Sequence, residues 1–508
     1  MIILRRGGLA AVFLLHAYAA SAQWVPPMGV PSPGFGIREV APAPPGSWTA
    51  PVRGFYFVDE AKGTDEKNPY GMPGRPRRTI PNILPAGAVV TVRGKYARAH
   101  SSPNTLEAQG TAAAPVFIKG GNFTGISELS GSYVIVEGGS GVGWVIRDTR
   151  AAGATHHVVV RDTELVGGGV GLGPYMGGEV HDIVVLRTSM HDVGDMNVKT
   201  DVDAHCVTVG VSHHVWILDS TFTRCSGDGV QVNGGRNGPR LHHVYIGRNV
   251  ATHNRQSGFW AKQSADVVMS SNVVSDMRPG TGGPGNCLGA QYGAARIVFV
   301  NNRVSDCEYG IGVWSYDEGA PGGVLIAGNV ITNIHHTTSD NAAGNPWAGG
   351  AAIFAAGGVE RIIVNNTIVD VDGGIQAPQS PGTLSAVNNI IARVKRAAMA
   401  FDGAGAPKVM SAYMLYDLMP TMMSGGVSAA IERGQLTEGH NLIATPRFVN
   451  AAAGDFRLEP GSPGVKSGTS IPAADSYRTI HGVPLGLDLT GTPDMGALGP
   501  VLTPLPRK

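Results

Sequence analysis

The chain reads as an all-β protein, a single-stranded parallel β-helix with a cap at each end, and three observations predict it. Asparagines Asn249, Asn272, Asn302, Asn329, Asn366 and Asn389 recur at similar places, 23 to 37 residues apart. Self-similarity at that period marks a solenoid whose repeats bury their apolar faces only against their neighbours. Between them, residues 244–246, 267–269, 297–300 and 324–326 form apolar runs of strand length, rich in Val and Ile and bounded by Gly, Asn, Asp or Ser. Such runs argue against a helix bundle. Composition agrees: 73 of 508 residues are glycine and only 6% are aromatic, as expected for a coil of tight turns with a small or β-branched interior.

Taken in order, the elements begin with a secretory signal peptide over residues 1–22. Arg5 and Arg6 precede an apolar run at 9–15, and Ala20-Ser21-Ala22 offers a small-x-small cleavage site. The run is too short to span a bilayer, so the protein is expected to be secreted or periplasmic, with no membrane anchor. Residues 23–50 are Pro-rich and extended, 51–100 hold the N-terminal cap and first strands, 101–440 the β-helix, and 441–508 a C-terminal capping segment. Caps have a physical motive, because an open coil end presents unpaired strand edges. One long core accounts for the whole length, and a monomer is expected. The formal net charge of +1, without a basic stripe, excludes nucleic acid as the partner.

The recurring asparagines need a reason, since Asn is depleted in ordinary strands. At a bend the amide can satisfy backbone groups, and stacked coil on coil it can pass hydrogen bonds along a ladder. Four cysteines fall at matching places. Cys206 with Cys225 and Cys287 with Cys307 lie where adjacent strands, about 5 Å apart, would bring them within disulfide reach; buried thiols are the alternative.

Alternation along the strands separates core from surface. Aligning Cys206, Gly229, Gly258, Cys287 and Gly310 stacks Val207, Val230, Phe259, Leu288 and Ile311 inward, with Val209, Val232, Ala261, Ala290 and Val313. Outward fall three columns: His205, Asp228, Ser257, Asn286, Tyr309; Thr208, Gln231, Trp260, Gly289, Gly312; and Gly210, Asn233, Lys262, Gln291, Trp314. Gln231, Asn233, Trp260, Gln291 and Trp314 then form a carbohydrate-binding patch, exposed indoles supplying flat apolar faces and amides fixing hydroxyls and carboxylates. Any one of them alone would be an ordinary solvated strand residue. A longer excursion from His335 places Trp347 with His335 or His336 where they would close one end of the groove.

The flanks "FYFVDEAKGTDEKNPYGMPGRPRRTIPNILPAGAVVTVRGKY" and "TPRFVNAAAGDFRLEPGSPGVKSG…TPDMGALGP" resemble the ends of secreted right-handed parallel β-helix proteins of the pectate-lyase-like class. Within the patch, "FWAKQSADVVMSSN" resembles the lysine segment of chondroitinase-B-like and alginate-lyase-like polysaccharide lyases. That resemblance implies a polysaccharide lyase acting on an acidic, uronate-containing polysaccharide by β-elimination, with Lys262 as base. The arginine those families carry one coil later is Gln291 here. Tyr292, His205 or Arg255 would be the acid, and Asp228 stands beside His205. In "KTDVDAHC", alternation puts Asp201, Asp203 and His205 on one side of the strand near Asp228. Asp201, Asp203 and Asp228 would suit Ca²⁺; a His-Asp acid/base pair or a structural turn are the other readings. "SGDGVQV" also resembles, less closely, polygalacturonase-like hydrolases, in which Asp228 would act with Asp201 or Asp203. C5-epimerisation and a non-catalytic carbohydrate-binding solenoid complete the alternatives.

Overall fold

The computed structural model describes residues 24–497 except 45, 99, 101–104, 150–152, 175–176, 197–202, 236–240, 281–282, 315–321, 337–348, 357–359, 379–381, 402–407, 425–435, 471–478, 481–482 and 485–491. Thirty-eight strands join in one hydrogen-bonded network. Each coil contributes three strands, and each strand pairs in parallel with its counterpart in the next coil, giving three faces. The first carries Val207–Val209, Val230–Asn233, Ser257–Lys262, Asn286–Gln291 and Tyr309–Val313. The second carries His213–Leu218, His242–Gly247, Ala265–Ser270 and Ala295–Val300. The third carries Thr221–Cys225, Val250–Thr252, Val273–Ser275 and Arg303–Ser305. All-parallel pairing with short strands is the predicted solenoid, and its core is one continuous apolar column.

The ladder asparagines stand where the second face turns into the third. The Asn272 side-chain oxygen accepts from the Asn249 backbone N–H at 2.9 Å and from the Asn249 amide at 3.2 Å, while its own amide donates to Ile246 O and to Asn302 Oδ1, both at 2.9 Å. The pattern repeats through Asn302, Asn329, Asn366 and Asn389. Ser220 ends the ladder on the early side, donating from its backbone N–H to Asn249 Oδ1. These amides are buried, so satisfying every donor and acceptor is what makes them tolerable inside the coil. The residue before each is left-handed, as at Arg248, Ser271, Asn301, Asn365 and Asn388, with φ between 52° and 57°.

Both cysteine pairs are disulfides, Cys206–Cys225 and Cys287–Cys307, with Cα separations of 5.7 and 5.8 Å.

The Pro-rich N-terminal segment is extended and lies across the outside of the second face. Trp24 Nε1 donates to Asp219 at 2.9 Å, Ser270 Oγ to Met28 O at 2.6 Å, Trp216 Nε1 to Pro31 O at 2.9 Å, and Arg161 to Gly36 O at 2.7 Å. Val30 and Phe35 sink into a second apolar cluster with Val159, Val184, Leu218 and Val268. At the edge of this face His156, His181, His213 and His242 occupy successive coils, their rings stacked 4.9 to 5.1 Å apart.

The closing segment packs along the side of the last coils. Its antiparallel pair Phe448–Asn450 and Asp455–Leu458 brings Phe456 against Val369 and Ala392. Asn365 and Asn388 hold it by donating to Asp494 O and Thr469 O at 2.8 Å. Among the described residues no helix is long and apolar enough to cross a membrane.

Candidate functional site

Strand pairing sets the outward columns of the first face. Thr208 pairs with Gln231, Gln231 with Trp260 and Trp260 with Gly289; Asn233 pairs with Lys262 and Lys262 with Gln291. These registers are the ones alternation predicts. Five predicted residues line one pocket there: Asp228, Trp260, Lys262, Gln291 and Trp314. Gln256, Ser257, Gly283, Pro284 and Asn286 complete its wall, and it encloses about 380 Å³ including its open mouth, toward the lower end of ligand clefts.

The early side of the pocket is a polar relay. Asp228 is only 1% exposed, and its carboxylate accepts from Gln231 Nε2 at 3.1 Å. Asn233 approaches the Gln231 oxygen at 3.5 Å, and its own oxygen accepts from the Gly235 N–H at 3.0 Å, so Asn233 also shapes the turn. The Asp228 backbone N–H donates to His205 Nδ1 at 2.8 Å. Nδ1 is therefore an acceptor, which leaves the proton of the neutral ring on Nε2. On the next coil Ser257 and Gln256 are buried, and the Gln256 amide donates to Asp203. Asn286 is 5% exposed, and its side-chain oxygen has no hydrogen-bond partner among the described residues. A buried carbonyl oxygen left that way is a strong site for a ligand donor.

The tryptophans differ from the exposed platforms expected of them. Trp260 is 4% exposed because its indole lies down along the coil axis over the glycine column. A Cβ at Gly289 would sit 2.1 Å from the ring and one at Gly312 3.2 Å from it. Trp314 folds back over Gly312 too, its Nε1 2.5 Å from where a Cβ would be. Behind it, the Phe354 ring lies 4.3 Å from that of Trp314, tilted by 34°, and Tyr309 sits 5.1 Å from it, edge on. The indoles thus form floor and end wall rather than a raised platform.

Lys262 is the cation of the pocket. Among the described residues its ammonium has no hydrogen bond or ion pair. The pocket wall holds one carboxylate, that of Asp228, already hydrogen-bonded to Gln231. Tyr292 follows Gln291 in a left-handed turn at φ 54° and does not line the pocket. Arg255 is turned away, buried in the corner with Nε donating to Ser226 O at 2.6 Å.

The proposed calcium ligands are Asp201, Asp203 and Asp228. Asp201 lies outside the described residues, and among those described no group of three His, Cys, Asp or Glu is placed to hold a metal ion. Trp347 also lies outside them. His335 and His336 form carboxylate pairs, with Asp372 at 2.8 Å and Glu308 at 2.5 Å.

Residues 183–391 match the family model described as a right handed beta helix region. That segment is a right-handed β-helix. No curated protein matches the chain. Among solved structures, the β-helix is similar to a pectate lyase, with 11% identity over 87% of this chain and 95% of that one and a TM-score of 0.37. It is also similar to a periplasmic alginate epimerase, with 10% identity over 72% and 79% and a TM-score of 0.42. A third likeness is to lacto-N-biosidase from Eubacterium ramulus, with 12% identity over 77% and 68% and a TM-score of 0.42.

Ser257, Asn286 and Gln256 were not expected as site residues. The first two stand in the outward column with Asp228, where alternation places them, but short neutral side chains carry no chemical signature. Gln256 sits at φ 79° in a turn, outside any alternation, and nothing in the local pattern marks it.

Proposed function

We propose that the protein is a secreted or periplasmic polysaccharide lyase that cleaves a uronic-acid-containing polysaccharide by β-elimination. The observation that carries this reading is Lys262, whose ammonium has no hydrogen bond or ion pair among the described residues, in a pocket walled mainly by amides, a hydroxyl and indoles, its one carboxylate, that of Asp228, being hydrogen-bonded to Gln231. A cation not ion-paired to that carboxylate, among hydrogen-bonding groups that are mostly neutral, favours an anionic sugar.

Elimination needs the uronate carboxylate stabilised, a base for the C5 proton and an acid for the leaving oxygen. The amides of Gln291 and Asn286 donate to the carboxylate as negative charge develops on it. The Lys262 amine nitrogen takes the C5 proton. The C5–H electron pair becomes the C4=C5 double bond as the C4–O4 bond breaks. O4 leaves protonated by a water molecule, while His205, whose Nδ1 accepts the Asp228 N–H, offers its Nε2–H as a hydrogen-bond donor to the departing oxygen. His205 does not itself line the pocket but accepts a hydrogen bond from the backbone of Asp228, which does.

The test incubates mature protein with a panel of uronate polymers, with Ca²⁺ and with chelator, following the ultraviolet absorbance of 4,5-unsaturated products. A rise that Lys262→Ala abolishes is the expected result. New reducing ends without absorbance would replace the reading by hydrolysis. Deuterium entering at C5 with no cleavage would replace it by epimerisation.

A further inference from the structure

The pocket is unlike at its two ends along the coil axis. Toward later coils it stops at aromatic packing. Trp314 lines it, packed at a tilt against Phe354 at 4.3 Å, and Tyr309 lies 5.3 Å from Phe354 with Ala351 in the same cluster. These side chains fill the outward positions of Tyr309–Val313 and Ala351–Ala355, where the columns would otherwise continue. Tyr309 and Phe354 are buried, so the wall is packed solid. Trp260, lying over Gly289 and reaching Gly312, joins the floor to this wall. Toward earlier coils the same column continues as Gln231, Thr208 and Gly171, polar or small, with Thr208 and Gly171 partly exposed. Successive coils rise by about 4.8 Å, so a sugar chain lying along the axis has room on the early side and meets rings on the late side.

The geometry points to a chain-end binder: the Trp314–Phe354–Tyr309 wall stops the polysaccharide, so the pocket takes one terminus of a uronan and the enzyme acts exolytically. This rests on the reading of the pocket as a uronan site, and it deepens that reading by naming the mode of attack. The terminal sugar stacks on Trp314, its hydroxyls meet Asn286 and Ser257, and the rest of the chain runs back over Gln231 and Thr208. A ring against an aromatic wall is held by apolar contact and excluded water, which suits a terminus and cannot accommodate a continuing glycosidic bond.

Two measurements test it. The first is a product profile on the polymer that the protein cleaves, by size-exclusion chromatography with viscometry. One small product size from the earliest time point, with viscosity falling in step with bonds broken, is expected. A ladder of long oligomers with an early collapse of viscosity would overturn the proposal. The double variant Trp314→Ala/Phe354→Ala should convert the first pattern toward the second.

The second measurement does not depend on cleavage or on the variant folding. Wild-type protein is titrated calorimetrically with a uronate hexamer whose reducing end is either free or coupled to a bulky amide, and with one whose non-reducing end is either free or methylated at O4. Blocking one of the termini should weaken binding at least tenfold while blocking the other leaves it within twofold. Equal affinity for all four ligands would mean a through-running groove and would overturn the proposal. If no polymer is cleaved, the lyase reading fails while this titration still decides the chain-end question.

Discussion

The first and second faces of the coil are built from the same kind of strand, yet their outward surfaces have opposite fates. On the second face the outward residues Val159, Val184, Leu218 and Val268 are apolar, and the chain covers them with its own N-terminal segment through Val30 and Phe35. On the first face the outward residues include Asp228, Gln231, Asn286 and Gln291, buried between large neighbours but polar. An apolar outer face in water must find a cover. The polar face can instead be left to a ligand, and the groups on it that lack partners among the described residues, Lys262 and the Asn286 oxygen, remain to be matched. The lesson is that outward side chains alone, not strand geometry, sort a solenoid's surfaces into structural and functional ones.

The sharpest way to test that division is to damage each face and ask what the other notices. Lys262→Ala should lower turnover on the cleaved polymer by about 10² to 10⁴-fold, the usual contribution of a positioned base, while the melting temperature stays within about 1 °C. A loss of less than about tenfold would remove Lys262 from the chemistry. Phe35→Ala, on the covered face, should do the reverse: it destabilises by about 3 kcal/mol, as buried Phe truncations do, and leaves kcat unchanged. If kcat fell with stability, the faces would not be independent. Gly289→Val is intermediate. It displaces the Trp260 indole, so polymer affinity should drop more than tenfold with a red shift of tryptophan emission, and urea unfolding should report a loss of about 1 to 3 kcal/mol from overpacking.

The smallest effect concerns pH and belongs to the second face. Burial, then the neighbouring imidazoles of His181, His214 and His242, holds the His213 ring down at about 4, against the opposing charge of Glu179. Burial likewise lowers His156, His157 and His242. In the unfolded chain these rings take up protons near pH 6.5, whereas folded they stay neutral, so the unfolded state binds more protons as pH falls. The stability they contribute is present above about 6.5 and is lost as pH falls toward about 4. Melting temperature should therefore decline through that window, and His213→Gln should flatten the decline. An unchanged slope in the variant would show that the stacked rings are not its source.

Much of this architecture could be read from residues alone. The asparagine ladder, the inward columns, the outward columns and both cysteine pairings follow from repeat alignment and the period-two alternation of strands, because the coils that carry them keep one parallel register from turn to turn. The site was legible only in part. Asp228, Trp260, Lys262, Gln291 and Trp314 meet in one pocket because alternation and register suffice to place them. Their burial did not follow, since the depth of Trp260 depends on Gly289 and Gly312 being empty one and two coils away. Gln256, Gly283 and Pro284 come from turns, whose direction no periodicity encodes. Arg255 sits in the same turn as Gln256 yet points into the corner, a difference of backbone geometry rather than residue type.

The asparagine ladder also bears on how such a molecule can change its length. Each inner amide, from Asn272 to Asn366, is clamped by the one before and the one after, so the array works as a ruler whose smallest division is a full coil. A residue added within a strand would slide one amide out of line and leave buried donors on both neighbours unmet, at about 1 to 3 kcal/mol each. A loop added at a corner, or an entire coil inserted between two others, leaves every division intact. Growth by duplication of whole coils is therefore nearly free of penalty, whereas growth by single residues along the strands is not.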